Sequence, residues 1–533
     1  MRSAGAILLV CAACAAAVEL NVTVRSGTSP VAGSRITLYR AGTAKGAPAE
    51  TLATAVSDAE GTATLSYNPP SSGVLYAFAD GAPSAPVRLA TVIGPSAVAG
   101  RAVVINEVST VATAFSMAQF LKNGVIAGVP GSIQLAAATF ANMVNPSTGE
   151  ASPFFGPGTL AHIHTLANLL ASCVQAKERD SCQDLFNDSK ALGFATPANT
   201  LDAALAIARS PANNVVALFL LAPRNKPYSP ALSGTPETWV IAIRHSSAVA
   251  NAPSINNATD AAGNTWTTDP AGHSVTQFDP AGKALSPAGG IRDRRIRKPQ
   301  GIRPDACGNI WIASSGNSSV TKLPGGSFAR PVSYEIDARD PFGIAIDGAG
   351  NVWITGSGND RVIKLSSDGT PAPGSPFIVR GMDRPLEIAI DFAGNAWMTN
   401  YAGRSVTMLR PDGLDSRTFT GGGMEGPWGI AVDGNGNLFV ASNRKPALSV
   451  LCGAHVEHCP QGKQTGDAIS PASGYTSNGV TRLTSLSIDG AGNVWVAGAE
   501  GVVEYIGMAA PVASPLVGPP RVPGQPLPQC PAK

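Results

Sequence analysis

The feature that most constrains this chain is a five-residue unit, Asp-x-x-Gly-Asn, that recurs six times in its second half: Asp260 to Asn264, Asp305 to Asn309, Asp347 to Asn351, Asp391 to Asn395, Asp433 to Asn437 and Asp489 to Asn493. Successive Asn positions lie 45, 42, 44, 42 and 56 residues apart. Self-similarity at that period specifies blades or a solenoid before any other architecture, because each unit must bury its faces against its neighbours. Each copy sits between two strand-like runs, as in Gly343-Ile344-Ala345-Ile346 before the unit and Val352-Trp353-Ile354-Thr355 after it. The glycine supplies a backbone angle that other residues avoid, and Asp and Asn side chains bond turn amides, so the unit reads as a hairpin connection.

Two residues past each Asn stands an aromatic: Trp266, Trp311, Trp353, Trp397, Phe439 and Trp495. Such rings are expected to fill the space between adjacent blades. A third strand follows, for example Arg361-Val362-Ile363-Lys364-Leu365, and then an Asp368-Gly369 type of turn. Three strands and a turn-rich fourth, six times over, predict a six-bladed β-propeller across residues 236–510. The sixth unit runs after Tyr505 into Pro-rich sequence with no fourth strand, so the segment Trp239 to Ile243, ahead of the first copy, is expected to supply it.

The run from Pro341-Phe342-Gly343 to Val352-Trp353-Ile354 resembles the NHL repeat family and is similar to repeats in streptogramin B lyases and gluconolactonase-type propellers. The lyase resemblance implies a catalytic His with a Mg-binding acidic partner near the axis, and the gluconolactonase resemblance implies Glu, Asn and Asp metal ligands in the channel. The residues four positions before each motif Asp, which begin the innermost strands, are Asn256, Gly301, Gly343, Glu387, Gly429 and Ser485. The three glycines predict a narrow channel lined by backbone, and Asn256, Glu387 and Ser485 are the channel-lining candidates. A hard cation takes more oxygens than Asn256 and Glu387 offer, so no cofactor is expected, with a channel Ca or Mg ion as the alternative. The histidines weighed in this part of the chain, His273, His455 and His458, lie outside the innermost strands, which leaves the catalytic residues of an enzyme unknown.

Upstream, Met1-Arg2-Ser3 followed by an apolar run and Ala15-Ala16-Ala17 reads as a signal peptide over residues 1–18, too short to span a bilayer. Cys14 follows Ala12-Ala13 as lipid-modified cysteines do in bacterial lipoproteins, so a lipid tether to the membrane is the alternative to simple cleavage. Either route exports the chain to the periplasm, the cell surface or the medium. Residues 19–97 alternate apolar and polar positions in short runs, such as Leu20, Val22 and Val24, which predicts a small β-sandwich. Pro30 to Tyr39 and Thr54 to Ala63 resemble the carboxypeptidase-regulatory-like or transthyretin-like sandwich. Helical spacing takes over in residues 98–235, as at Leu160, Ile163, Ala167, Leu170 and Val174, and Thr200 is placed to cap a helix. His162 and His164 fall there, but residues two apart on a helix point about 200° apart and cannot share a metal. Residues 511–533 form a Pro-rich tail.

Export makes disulfides the default for the six cysteines beyond the signal. Cys173 with Cys182 and Cys452 with Cys459 close short loops, while Cys307 and Cys530 remain for a long-range pair. Cys452, His455, His458 and Cys459 also offer four zinc ligands in eight residues, but the disulfide is the expected use of that loop and no metal is assigned to it. The basic run from Arg292 to Lys298 reads as a solvated loop, or else as a contact for acidic polysaccharide or lipid headgroups. With 38 basic against 36 acidic residues, there is no electrostatic basis for a nucleic-acid partner. The reading as a whole is an exported, monomeric, non-catalytic scaffold that binds a protein or glycan. A metal-dependent lyase or hydrolase acting at the propeller axis is the rival.

Overall fold

The computed structural model describes the chain apart from residues 1–16, 82–85, 96–101, 154, 177–179, 192, 194, 223–225, 246–255, 477–478 and 531–533. Cys14, Ala15 and Ala16 therefore lie outside the described residues, while Val18, the expected last residue of the signal, begins the first strand. Near the N-terminus two sheets face each other. One is built on Val18–Ser26, flanked by Ser29–Pro30 and Thr62–Tyr67, with Val103–Ile105 added in parallel. The other runs in the order Glu50–Val56, Arg35–Arg40, Val74–Asp80, Arg88–Pro95. Alternation buries Leu20, Val22 and Val24 from one sheet with Ile36 and Leu38 from the other.

Helices α1 (Glu107–Ser116), α2 (Pro130–Met143), α3 (Pro157–Val174), α4 (Asp180–Ser189), α5 (Thr200–Arg209) and α6 (Val215–Leu220) follow. Their apolar faces join the same core, which includes Phe115, Ile163, Leu170 and Leu201 and continues to Trp239, Ile241 and Ile506. The cap of α5 is Asn199, whose side chain accepts from Asp202 N at 2.9 Å, one residue ahead of the expected Thr200. Thr200 instead exchanges hydrogen bonds with the Arg88 backbone at 3.0 and 2.6 Å.

The repeat half forms six antiparallel sheets, one of three strands and five of four. Their inner strands are Asn257–Thr259, Pro299–Pro304, Pro341–Ile346, Pro385–Ile390, Pro427–Val432 and Leu486–Ile488, and each packs beside the next from the first to the sixth. The outer strand of the sixth sheet is Ala242–His245, antiparallel to Gly501–Tyr505, with Ala242 opposite Tyr505 and His245 opposite Val502. It thus begins three residues later than the sequence suggests, because Trp239 and Ile241 are drawn into the N-terminal core.

One carboxylate organises each repeat. In the turn beginning at Asp347, Oδ1 accepts the amides of Ala349 (3.0 Å) and Asn351 (2.9 Å), and Oδ2 accepts the indole Nε1 of Trp353 (3.0 Å). The same indole bond holds Trp266, Trp311, Trp397 and Trp495 at 2.9, 2.8, 2.8 and 3.0 Å from their own motif Asp. Each of four tryptophans also meets an aromatic ring from the outer strand of its own sheet: Trp311 with Tyr334, Trp353 with Phe377, Trp397 with Phe419 and Trp495 with His245.

The fifth copy breaks this pattern, since Phe439 has no N–H to give. There Asp433 Oδ2 accepts the Ala510 amide at 3.0 Å, and the Gly434 amide donates to Ala510 O at 3.1 Å. From that anchor the tail crosses the motif-turn end of the sheets. Val512 N bonds Asp489 O at 3.1 Å, and Cys530 pairs with Cys307 in the turn of the second sheet. Burial pushes the Asp433 carboxyl up from 3.8 to about 6, against the donors that favour its ionised form. Between those values the folded chain holds a proton that the unfolded chain has lost. The stabilisation is therefore complete below about pH 4 and lost as pH rises through about 6, amounting to about 3 kcal/mol. Asp433→Asn removes this titration, so the melting temperature measured by calorimetry should vary less between pH 4 and 7 in the variant than in the wild type. An unaltered pH profile would contradict the assignment.

Candidate functional site

The inner strands converge on a cavity of about 420 Å³, lined by Asn256, Arg303, Glu387 and Ser485, with Trp495 of the sixth sheet and Leu516 of the tail. Close packing between sheets fixes the three glycines of the same row. An added Cβ would lie 2.4 Å from Phe342 O at Gly301, 2.4 Å from Leu386 O at Gly343 and 2.2 Å from Thr484 O at Gly429. Each is glycine because the neighbouring inner strand presses against it. All three are spacers between sheets; Gly429 also lines the cavity, as expected of channel backbone, whereas Gly301 and Gly343 are not on its lining.

Glu387 is buried, and its partners come from two other sheets. Asn256 Nδ2 donates to its Oε1 at 2.5 Å, while Arg303 Nη2 stands 3.9 Å from its Oε2. Arg303 Nη1 in turn donates to Asn256 Oδ1 at 3.0 Å. Burial raises the pKa of Glu387, and Arg303 and Asn256 oppose that rise. Its two partners thus offset burial only in part, and the carboxyl is engaged by its neighbours while its pKa stays above the ordinary range.

Arg303 escaped the sequence reading, although a signal for it was present. It stands two positions before its motif Asp, one period-2 step from the row that was read, where the other copies carry Ala258, Ala345, Ala389, Ala431 and Ser487. One arginine in a row of small residues marks the axis cation. Ser485 is half-buried, and its carbonyl accepts the Ala497 amide at 2.9 Å.

His245 also escaped that reading. Its Nε2 lies 2.9 Å from Glu504 Oε2, whose other oxygen accepts from Asn493 at 3.0 Å, and its ring stacks on Trp495 at 5.2 Å. It fills the place that Tyr334, Phe377 and Phe419 fill in other sheets. His162 and His164 separate as expected: His162 lies against the Gly158 and Thr238 carbonyls, His164 against Pro230 O. His273 accepts the Lys298 amide at 3.0 Å. Among the described residues no group of three or more His, Cys, Asp and Glu is arranged to hold a metal.

The cysteines pair as Cys173–Cys182, Cys307–Cys530 and Cys452–Cys459, with Cα separations of 4.7, 4.6 and 5.7 Å. Between the last two, His455 turns to Glu457 at 3.0 Å. In the basic run Arg295 pairs with Asp293 at 3.1 Å, and Arg292, Arg294, Arg297 and Lys298 are exposed.

No protein-family model and no characterised relative matches the sequence. Among solved structures the chain is similar to a streptogramin B lyase at 12% identity, TM-score 0.39, over 50% of this chain and 97% of that one. A virginiamycin B lyase from Staphylococcus aureus, determined with quinupristin, is 13% identical, TM-score 0.40, over 51% and 92%. A gluconolactonase from Xanthomonas campestris is 16% identical, TM-score 0.35, over 50% and 90%.

Two outcomes follow from the site. Arg303→Leu strands a buried carboxylate and should cost about 3 kcal/mol in denaturant unfolding, whereas Glu387→Gln keeps the Asn256 contact and should cost clearly less. Equal losses would contradict the compensating role of Arg303. Protein isolated and alkylated without reductant should keep all six paired cysteines unlabelled, and adding a chelator should change nothing, because a disulfide has no thiolate to release. Chelator-dependent labelling of Cys452 and Cys459 would instead establish a metal there.

Proposed function

We propose that the chain is an exported, non-catalytic scaffold whose repeat half, residues 236–510, is a six-bladed β-propeller of the NHL type that binds a glycan or protein at the cell surface. The N-terminal sheets are read as a carboxypeptidase-regulatory-like sandwich, the helices over 98–235 as its support, and residues 511–533 as a tail fastened across one end of the ring. Export is supported by three cysteine pairs in one chain. Among the described residues no helix is long and apolar enough to cross a membrane.

The observation that carries the non-catalytic reading is the closed set at the axis. Glu387 already receives Asn256 and faces Arg303, so the carboxylate that a lyase or hydrolase would use is occupied by its own neighbours. A general base must reach the proton it removes, and a metal ligand must present its oxygens. The rival reading, a metal-dependent lyase or hydrolase of the streptogramin lyase or gluconolactonase type, requires that set to open. Purified protein given Ca, Mg and Zn salts should retain no stoichiometric ion after desalting and should open neither a lactone nor a cyclic depsipeptide ester. Native surface material should be captured equally by the wild type and by Glu387→Gln. Turnover abolished by that substitution would establish the enzyme instead.

A further inference from the structure

Successive sheets are sealed by one kind of pairing, the motif aromatic of one sheet, Trp or, in the fifth, Phe439, against an aliphatic face of the next. Trp266 packs with Ile302, Ile310 and Ile312, and Trp353 with Ile388, Ile390 and Met398. The first sheet has no such aliphatic face to offer the sixth. Its counterparts of Ile302, Ile310 and Ile312 are Asn257, Thr265 and Thr267, with Asn257 exposed and both threonines half-buried. Trp495, on the sixth sheet, is half-buried, whereas Trp266, Trp311, Trp353 and Trp397 are at most 1% exposed. The axial cavity extends into this seam, with Asn257 and Thr259 on one side and Trp495, Ala497 and Val502 on the other.

The chemistry of the two walls defines the occupant. An indole offers a flat apolar surface, and the facing strands offer an amide and hydroxyls. Of the charged residues on the lining, Arg303 and Glu387 face each other, and Asp489 is taken up by the Ala491 and Asn493 amides and the Trp495 indole. A ring with an apolar C–H face, a hydroxyl edge and no net charge matches all three. A volume of about 420 Å³ falls within the range of small-molecule sites.

We propose that the seam between the sixth and first sheets is a saccharide site that takes an uncharged sugar ring against Trp495, with its hydroxyls toward Asn257 and Thr259. This rests on the binding reading above and narrows it to one ligand class and one place.

The test restores the missing aliphatic face. Thr265→Ile with Thr267→Ile copies the second sheet and should seal the seam. In the full exported chain, calorimetric titration with cellotetraose, maltotetraose and chitotetraose should show saturable binding of at least one. The double variant should bind it at least tenfold more weakly while melting at the same temperature or higher. Trp495→Phe, which keeps an aromatic ring for His245, should also weaken binding, and oligogalacturonate should not compete. Unchanged sugar binding in the double variant would overturn the site while leaving a glycan-binding scaffold standing. A lowered melting temperature would show that the chain itself already fills the seam and would overturn the proposal. So would a wild type that binds none of the three sugars, and if it still captured a surface protein the scaffold reading would survive.

Discussion

The repeat half depends on a hydrogen bond between an aspartate oxygen and an indole N–H six residues later. A buried carboxylate is costly unless donors surround it, and here the turn amides satisfy one oxygen while the tryptophan satisfies the other. The turn and the ring therefore form together. The ring, fixed in orientation, then presents its face to the next sheet, so a local turn motif determines how sheets pack at long range. Where the indole is lost, at Phe439, the free oxygen takes an amide from Ala510, and this recruits the tail to the sheets.

The axis follows a different rule. Asn256, Arg303 and Glu387 come from the first, second and fourth sheets, so their mutual bonds tie strands that are not neighbours in sequence. A compensated ion pair of this kind contributes little net stability against an apolar filling, but removing one partner is severe. Its structural effect is to fix which sheets face one another across the centre.

Much of the architecture was legible in the sequence. Six copies of one turn, strands on either side and a missing fourth strand at the end led to the six sheets and to the segment that completes the last of them, displaced by three residues. What was not legible were properties that exist only between elements. The Asp and Trp of five units could be read singly, as turn residue and filler, without showing that they bond to each other. Gly301 and Gly343 looked like channel lining, as Gly429 is, because a one-dimensional pattern gives a face, not the strand that approaches it. Arg303 lay one step along a row that was read only at its first position. His245 was missed because its ring performs a stacking role that the other sheets assign to Tyr or Phe.

The completed sixth sheet also sets an order of assembly. Ala242–His245 is synthesised before any of the six repeat turns, yet its partner, Gly501–Tyr505, is made only after all six. Until then it is an unpaired edge, the kind of surface on which nascent chains misassociate. Trp239 and Ile241, just ahead of it, are buried in the N-terminal core, which consists almost wholly of residues translated earlier. That core can hold the strand in place while the remaining sheets are made. The N-terminal half then serves as an internal template for closing the C-terminal half, and a chain deprived of it would have to find the same pairing across the full length of the repeats.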